Sequence, residues 1–162
     1  METIRAFLEQ SEGGKILLTM LISMVPVIEL RGAVPVGVAM GLPLLTAFFT
    51  SLVGNLFPVP FVILFSRSLF RWLRCHVPVL SKWITRWENN AYRHKEKIEK
   101  YRLWGLFLFV AIPLPGTGAW TGSLLAALTD IRLRDAFPAI ALGVLTAGCI
   151  ITALTYGVVQ IA

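Results

Sequence analysis

Val25-Pro26-Val27-Ile28-Glu29-Leu30-Arg31-Gly32-Ala33-Val34-Pro35 lies inside a hydrophobic run that covers residues 16–49. Proline removes a backbone donor and disfavours helix at the residue before it, and glycine lets backbones approach closely. The stretch therefore reads as a helix broken inside an apolar environment. Its Glu29 and Arg31 are the only charges deep within a hydrophobic run. A charge near a bilayer centre costs a few kcal/mol, so it faces a cavity and has a partner.

A second broken run follows at residues 103–128. It carries Ile112-Pro113-Leu114-Pro115-Gly116-Thr117-Gly118-Ala119-Trp120-Thr121-Gly122 and no charge over that stretch. Two further hydrophobic segments complement these, a shorter one at residues 48–65, broken near its middle by Pro58 and Pro60, and one at residues 136–162 that carries no charge. The last is long enough to cross a hydrocarbon core of about 30 Å. Two Pro/Gly-interrupted hydrophobic segments, one per half, are the sign of re-entrant membrane helices. Pro26, Gly32 and Pro35 are expected to turn the first hairpin, and Pro113, Pro115, Gly116, Gly118 and Gly122 the second. The bland alternative is a pair of kinked spans.

Composition agrees. Of 162 residues 56% are apolar and 15% charged, against about a quarter charged in soluble domains. The net charge of +6 is concentrated: ten of the fifteen Lys/Arg residues lie in residues 67–102. The chain is expected to be one transmembrane domain over residues 1–162, with half one at 1–66, a basic loop at 67–102 and half two at 103–162. Positive residues favour the cytoplasmic side. The loop is then inside, both termini are outside, and the halves have inverted topology in the cytoplasmic membrane. Within the loop Leu80, Trp83, Ile84, Trp87, Ala91 and Ile98 share one helical face, which suits a helix lying in the interface. The charge needs no nucleic-acid partner. Asp130, Arg132, Arg134 and Asp135 read as a solvated cytoplasmic turn.

The acidic, amphipathic N-terminus, with Ile4, Phe7 and Leu8 at helical spacing, lacks the positive start of a secretory signal. The halves echo each other weakly: Gly32-Ala33 with Gly118-Ala119, and Ala47-Phe48 before Gly54 with Ala136-Phe137 before Gly143. Cys75, Cys149, His76 and His94 form no ligand set, so no metal or other cofactor is expected, and the cysteines read as small fillers. No paired acids, serine–base set or histidine cluster suggests an enzyme.

Functionally, Glu29 reads as a proton carrier and Arg31 as an anion-binding group, with an ion pair bracing the turn as the structural alternative. Asn55, Thr117, Trp120 and Thr121 are candidate substrate contacts beside them.

The two broken motifs, with Gly54-Asn55 and the prolines after it, resemble the signatures of the small multidrug export family over nearly the whole chain. More distantly the architecture is similar to that of DedA membrane proteins. That resemblance implies two facing re-entrant hairpins and, for several members, translocation of undecaprenyl phosphate or other phospholipids. The chain departs from DedA in having no arginine between Phe109 and Trp120. The expectation is a small proton-coupled transporter moving an anionic lipid phosphate. The alternatives are an exporter of cationic drugs and a non-transporting scaffold. Membrane lipids and the substrate are the expected partners, and a homodimer fits the small cavity each half encloses.

Overall fold

The computed structural model describes residues 11–76, 95–114 and 116–161. The N-terminal amphipathic segment, Leu80 to Ala91 of the basic segment, and Pro115 lie outside them. The described residues form seven helices and no strand.

Helix α1 (Glu12–Met24) starts at Ser11, whose hydroxyl accepts the Gly14 N–H at 3.0 Å. It stops because Pro26 forces Val25 out of helical conformation, to φ −73° and ψ 128°. After a turn at residues 25–28, α2 (Glu29–Ala39) runs back along α1. Gly41, at φ 88°, and Pro43 end it. Helices α3 (Leu44–Leu56) and α4 (Val59–His76) are stacked with a kink at Pro58 and form one long apolar span at Leu44–Leu69. The second half repeats the order with α5 (Lys95–Ala111), a break, α6 (Ala119–Leu128) and α7 (Leu133–Ile161). The basic stretch expected as a loop is thus helical at both ends. Long basic side chains let a helix continue past the apolar layer, because their stems lie on apolar surface while the charge reaches water.

The turns that close α2 and α6 match. At the end of α2 the Met40, Gly41 and Leu42 N–H groups donate to the carbonyls of Val36, Val38 and Gly37. At the end of α6, Thr129, Asp130 and Ile131 donate to Leu125, Ala127 and Ala126. Each pair of equivalents, from Met40 and Thr129 to Leu44 and Leu133, is 89 residues apart. Gly41 and Asp130 both have positive φ, and Leu42 and Ile131 are both buried. The Ala-Phe…Gly echo seen in the sequence lies in this register. Gly32-Ala33 does not pair with Gly118-Ala119: in register, Gly118 stands opposite Glu29.

Three of the expected turn residues are helical. Gly32 and Pro35 lie inside α2, and Gly122 lies inside α6. The first break instead falls at Val25–Ile28, where Pro26 acts. Gly122 serves packing, since a Cβ there would sit 2.5 Å from Val110 Cγ2 of α5. Gly32 likewise leaves room for the Ile28 side chain. Pro35 removes a single helix bond and α2 absorbs it.

Within each half the three helices before and after the break pack together: α1, α2 and α3, then α5, α6 and α7. Between halves α4 packs on α6, and α2 and α3 on α7. Leu30, Val34, Ile63, Val110, Ile140 and Val144 fill the shared core. Only a third of the Leu44–Leu69 span, and less of Leu133–Gly157, is buried. Their outer faces carry Phe49, Phe57, Phe61, Phe65, Leu142 and Leu154, all well exposed. The core helix of a soluble protein would be mostly covered, and apolar surface this continuous belongs in lipid. Cys149 is a free thiol on this outer surface rather than a core filler.

Gly54 is the tightest helix contact of the first half: a Cβ would collide with Ser23 Oγ and stand 2.5 Å from the Met20 carbonyl oxygen. Gly54→Ala is expected to cost about 1–3 kcal/mol, seen as a fall of several degrees in melting temperature in detergent. Gly105→Ala, where a Cβ meets nothing within 4 Å, is expected to leave it unchanged or raise it slightly.

Candidate functional site

The two breaks meet. Helix α6 begins at Ala119 behind Gly118, whose lack of a side chain leaves the first turn uncapped from within. Glu29 supplies the cap from the other half. Its Oε1 accepts the Trp120 N–H at 3.2 Å, at the second position of α6. A side-chain oxygen on that donor is what an N-cap residue provides, and a carboxylate there also meets the positive end of the helix. The fit excludes a side chain at Gly118, since a Cβ would overlap the Glu29 carboxylate, with Cδ only 2.6 Å away. Glu29 itself is 5% exposed and sits at φ 51°. A left-handed non-glycine residue costs about 1–2 kcal/mol, and such strain gathers where a side chain must be aimed.

Arg31 serves the opposite helix end. Its guanidinium donates to the Leu114 carbonyl, to the Ile112 carbonyl at 3.3 Å and to Thr117 Oγ1 at 3.0 Å. Those carbonyls follow the end of α5, where backbone acceptors have no partner within the helix. The Thr117 hydroxyl lies 2.7 Å from Ile112 O and 2.9 Å from Leu114 O and closes the turn. Gly116, at φ 85°, makes that turn possible. Trp120 returns the favour: its indole N–H donates to the Met24 carbonyl at 3.0 Å, at the end of α1.

Among the described residues no ion pair joins Glu29 to Arg31; both reach across to the second half. Residues two apart on a helix point in different directions, which is why the bracing pair does not form. Both still border one small cavity of about 10 Å³, room for about one water, together with Asn55, Gly118, Val110 and Val144. Asn55 is 2% exposed and its Oδ1 has no hydrogen-bond partner.

The candidate contacts thus separate. Asn55 borders the cavity, Thr117 and Trp120 hold the two breaks together, and the Thr121 hydroxyl donates within its own segment to Gly118 O at 3.4 Å. Pro26 and Pro113 lie in the breaks. Asp130, Arg132, Arg134 and Asp135 are exposed at the α6–α7 turn, where Arg67 donates to the Ile131 carbonyl. Sequence reading passed over Ser51, which is fully buried and unpartnered, one helical turn before Asn55. Its polar character in an apolar run was the available signal. No group of three His, Cys, Asp or Glu gathers among the described residues.

A bundle of apolar-faced helices, with two spans long enough to cross a bilayer, around a buried acid and a half-buried base defines a membrane protein. The model of the family described as putative small multi-drug export protein matches residues 29–150, and the chain belongs to that family. Neither the curated proteins nor the solved structures searched gave a match.

Gly118→Ala is expected to expel the Glu29 carboxylate from the start of α6 and to lower stability by about 1–3 kcal/mol. Adding Glu29→Ala frees the space. Thermal unfolding of the two single variants and the double variant is expected to show coupling of about 0.5–3 kcal/mol, with the double variant more stable than additivity allows.

Proposed function

We propose that the chain is a small secondary transporter of the cytoplasmic membrane in which a proton and a cationic substrate compete for Glu29. The observation that carries this reading is the buried carboxylate, held on strained backbone at a cavity where the two halves meet. Intramembrane ionisable residues of this kind mark substrate and ion pathways, and the family's description as an export protein points the same way.

On this reading the halves are inverted repeats and each break is the tip of a re-entrant hairpin. At 13 and 11 residues, α1 and α2 are about 20 and 16 Å long, too short for a core of about 30 Å. The bases of the hairpins support opposite directions of insertion. Lys15 Nζ comes within 3.6 Å of a Cβ position at Gly41, at the base of the first. Arg67, at the far end of the α3–α4 span, reaches Ile131 at the base of the second. With the basic segment in the cytoplasm, the second hairpin enters from inside and the first from outside.

The state of Arg31 selects the substrate. Three of its five N–H donors are taken by oxygens of the second half, against the one Trp120 N–H that Glu29 Oε1 accepts. Glu29 is thus the less tied of the two charged groups and the better placed to exchange a ligand. A second reading, translocation of an anionic lipid phosphate, keeps one observation in its favour: the guanidinium also lines the cavity. There the phosphate would have to draw Arg31 from its carbonyls.

Proteoliposomes carrying an internal pH dye separate these readings. A lipophilic cation is expected to drive proton movement in the wild type, with at least a tenfold loss, about 1.4 kcal/mol, in Glu29→Gln. Labelled polyprenyl phosphate that crosses the bilayer only while Arg31 is intact would establish the lipid reading instead. Movement of neither would leave the assembly role, the third expectation.

A further inference from the structure

The register between the halves exposes an asymmetry inside the bundle. On α1, Lys15, Thr19 and Ser23 recur every four residues and share one face. Thr19 and Ser23 are fully buried. On α3, Ser51 and Asn55 likewise share a face, at 0% and 2% exposure. The two faces oppose each other. A Cβ at Gly37 would touch both Thr19 Oγ1, at 3.0 Å, and Ala47 Cβ, at 3.1 Å, and one at Gly54 would collide with Ser23 Oγ. The levels therefore run in order from Lys15 beside Gly41, through Thr19 beside Gly37 and Ala47, to Ser23 against Gly54, with Ser51 one turn before Asn55, which borders the cavity.

The equivalent positions are Arg102, Leu106 and Val110 on α5, 87 residues on because the two breaks differ in length, and Ile140 and Val144 on α7, 89 residues on: Val110 meets Gly143 as Ser23 meets Gly54. Every buried polar position of this interface in the first half is apolar in the second: Leu106, Val110, Ile140 and Val144 stand where the first half has Thr19, Ser23, Ser51 and Asn55. If these side chains only filled space, the two halves could have used the same residues, and the apolar ones are cheaper to bury. The hydrogen bonding points further. The Thr19 and Ser23 hydroxyls donate to their own helix, to Lys15 O at 2.8 Å and Met20 O at 2.7 Å, and keep lone pairs for an outside donor. Ser51 Oγ and Asn55 Oδ1 have no partner at all. A buried polar atom left so costs about 1–3 kcal/mol, and bound water is what ordinarily meets that need.

We propose that the interface of α1 and α3 is a one-sided water lane from the Glu29 cavity to the face where α1 begins, through which Glu29 exchanges protons with that face alone in this conformation. The proton passes from lane water to a carboxylate oxygen and back by the same route. No bond other than O–H is made or broken. Arg31 is the other charged group on the cavity. The route toward the opposite face is closed by Val110, Val144 and Ile140, all 2% exposed or less. The proposal rests on the reading of Glu29 as the proton-coupling group and adds its sidedness: with the basic segment inside, the lane opens outward.

Radiolytic footprinting tests the lane without relying on transport, because hydroxyl radicals form from bound water and oxidise a thiol next to it. In a Cys75→Ala/Cys149→Ala background in liposomes, Ser51→Cys is expected to oxidise at least about fivefold faster than Ile140→Cys, its equivalent. Melting temperatures identify either variant that misfolds, and Asn55→Cys against Val144→Cys then replaces the pair. Equal rates, or faster oxidation in the second half, would overturn the lane. In the transport assay, Ser51→Val with Asn55→Val is expected to slow Glu29-dependent proton movement about tenfold. Wild-type rates in that variant would overturn the proton route. Fast oxidation at position 51 with no Glu29-dependent proton movement in any protein would keep the lane and sink the transport reading.

Discussion

A helix interrupted within a bilayer leaves backbone donors and acceptors where no water can reach them, and each one left unmet costs several kcal/mol. This chain interrupts helices twice and meets the need across its two halves. The start of α6 is capped by Glu29, the end of α5 by Arg31 and the end of α1 by the Trp120 indole. None of these bonds lies within one half. Each half therefore depends on the other for the integrity of its break, and separation of the tips must replace these contacts with solvent or substrate. The acid and the base that suggest function are also the groups that hold the fold together at its middle.

Repetition with asymmetry follows from the same need. Glu29 and Gly118 are equivalent positions, and there is space for one side chain between them. Two acids at that point would repel and collide; two glycines would leave the start of α6 without a cap. One half supplies the charge, and the other supplies the space and the helix end. The buried polar positions of the first half extend this division, since Ser51 and Asn55 stand where the second half has Ile140 and Val144. The turns after α2 and α6 match while the chemistry sits on one side.

Much of this was legible in the sequence. Charges inside an apolar run marked Glu29 and Arg31, prolines marked both breaks, and the Ala-Phe…Gly echo carried the true register. What escaped reading involves the backbone. The partners of Arg31 are the carbonyls of Ile112 and Leu114, which carry no residue signature. Gly32 and Pro35 looked like turn formers because composition does not say which breaker prevails; Pro26 ended α1 first, and α2 accommodated the rest. Ser51 went unnoticed because a lone serine among apolar residues is common and usually bonds to its own helix, as Ser123 does with Ala119 O at 2.6 Å.

The same tip contacts explain how a proton could influence the whole bundle on the transport reading. Opening the cavity breaks the Trp120–Glu29 bond and the three Arg31 bonds together, because all of them join the first turn of α2 to the second break and the start of α6. Charge-assisted hydrogen bonds are worth about 1.5–3 kcal/mol each, roughly twice neutral ones. Neutralising Glu29 would turn the α6 cap from an ionic contact into a weaker neutral one and so favour separation. A ligand shifts an equilibrium only by its difference in affinity between the two states. A cation that meets the carboxylate only after the tips part has that difference built in, and so does a proton that weakens the closed contact. Coupling between the two then needs no long-range pathway, since both act on one carboxylate at one helix end.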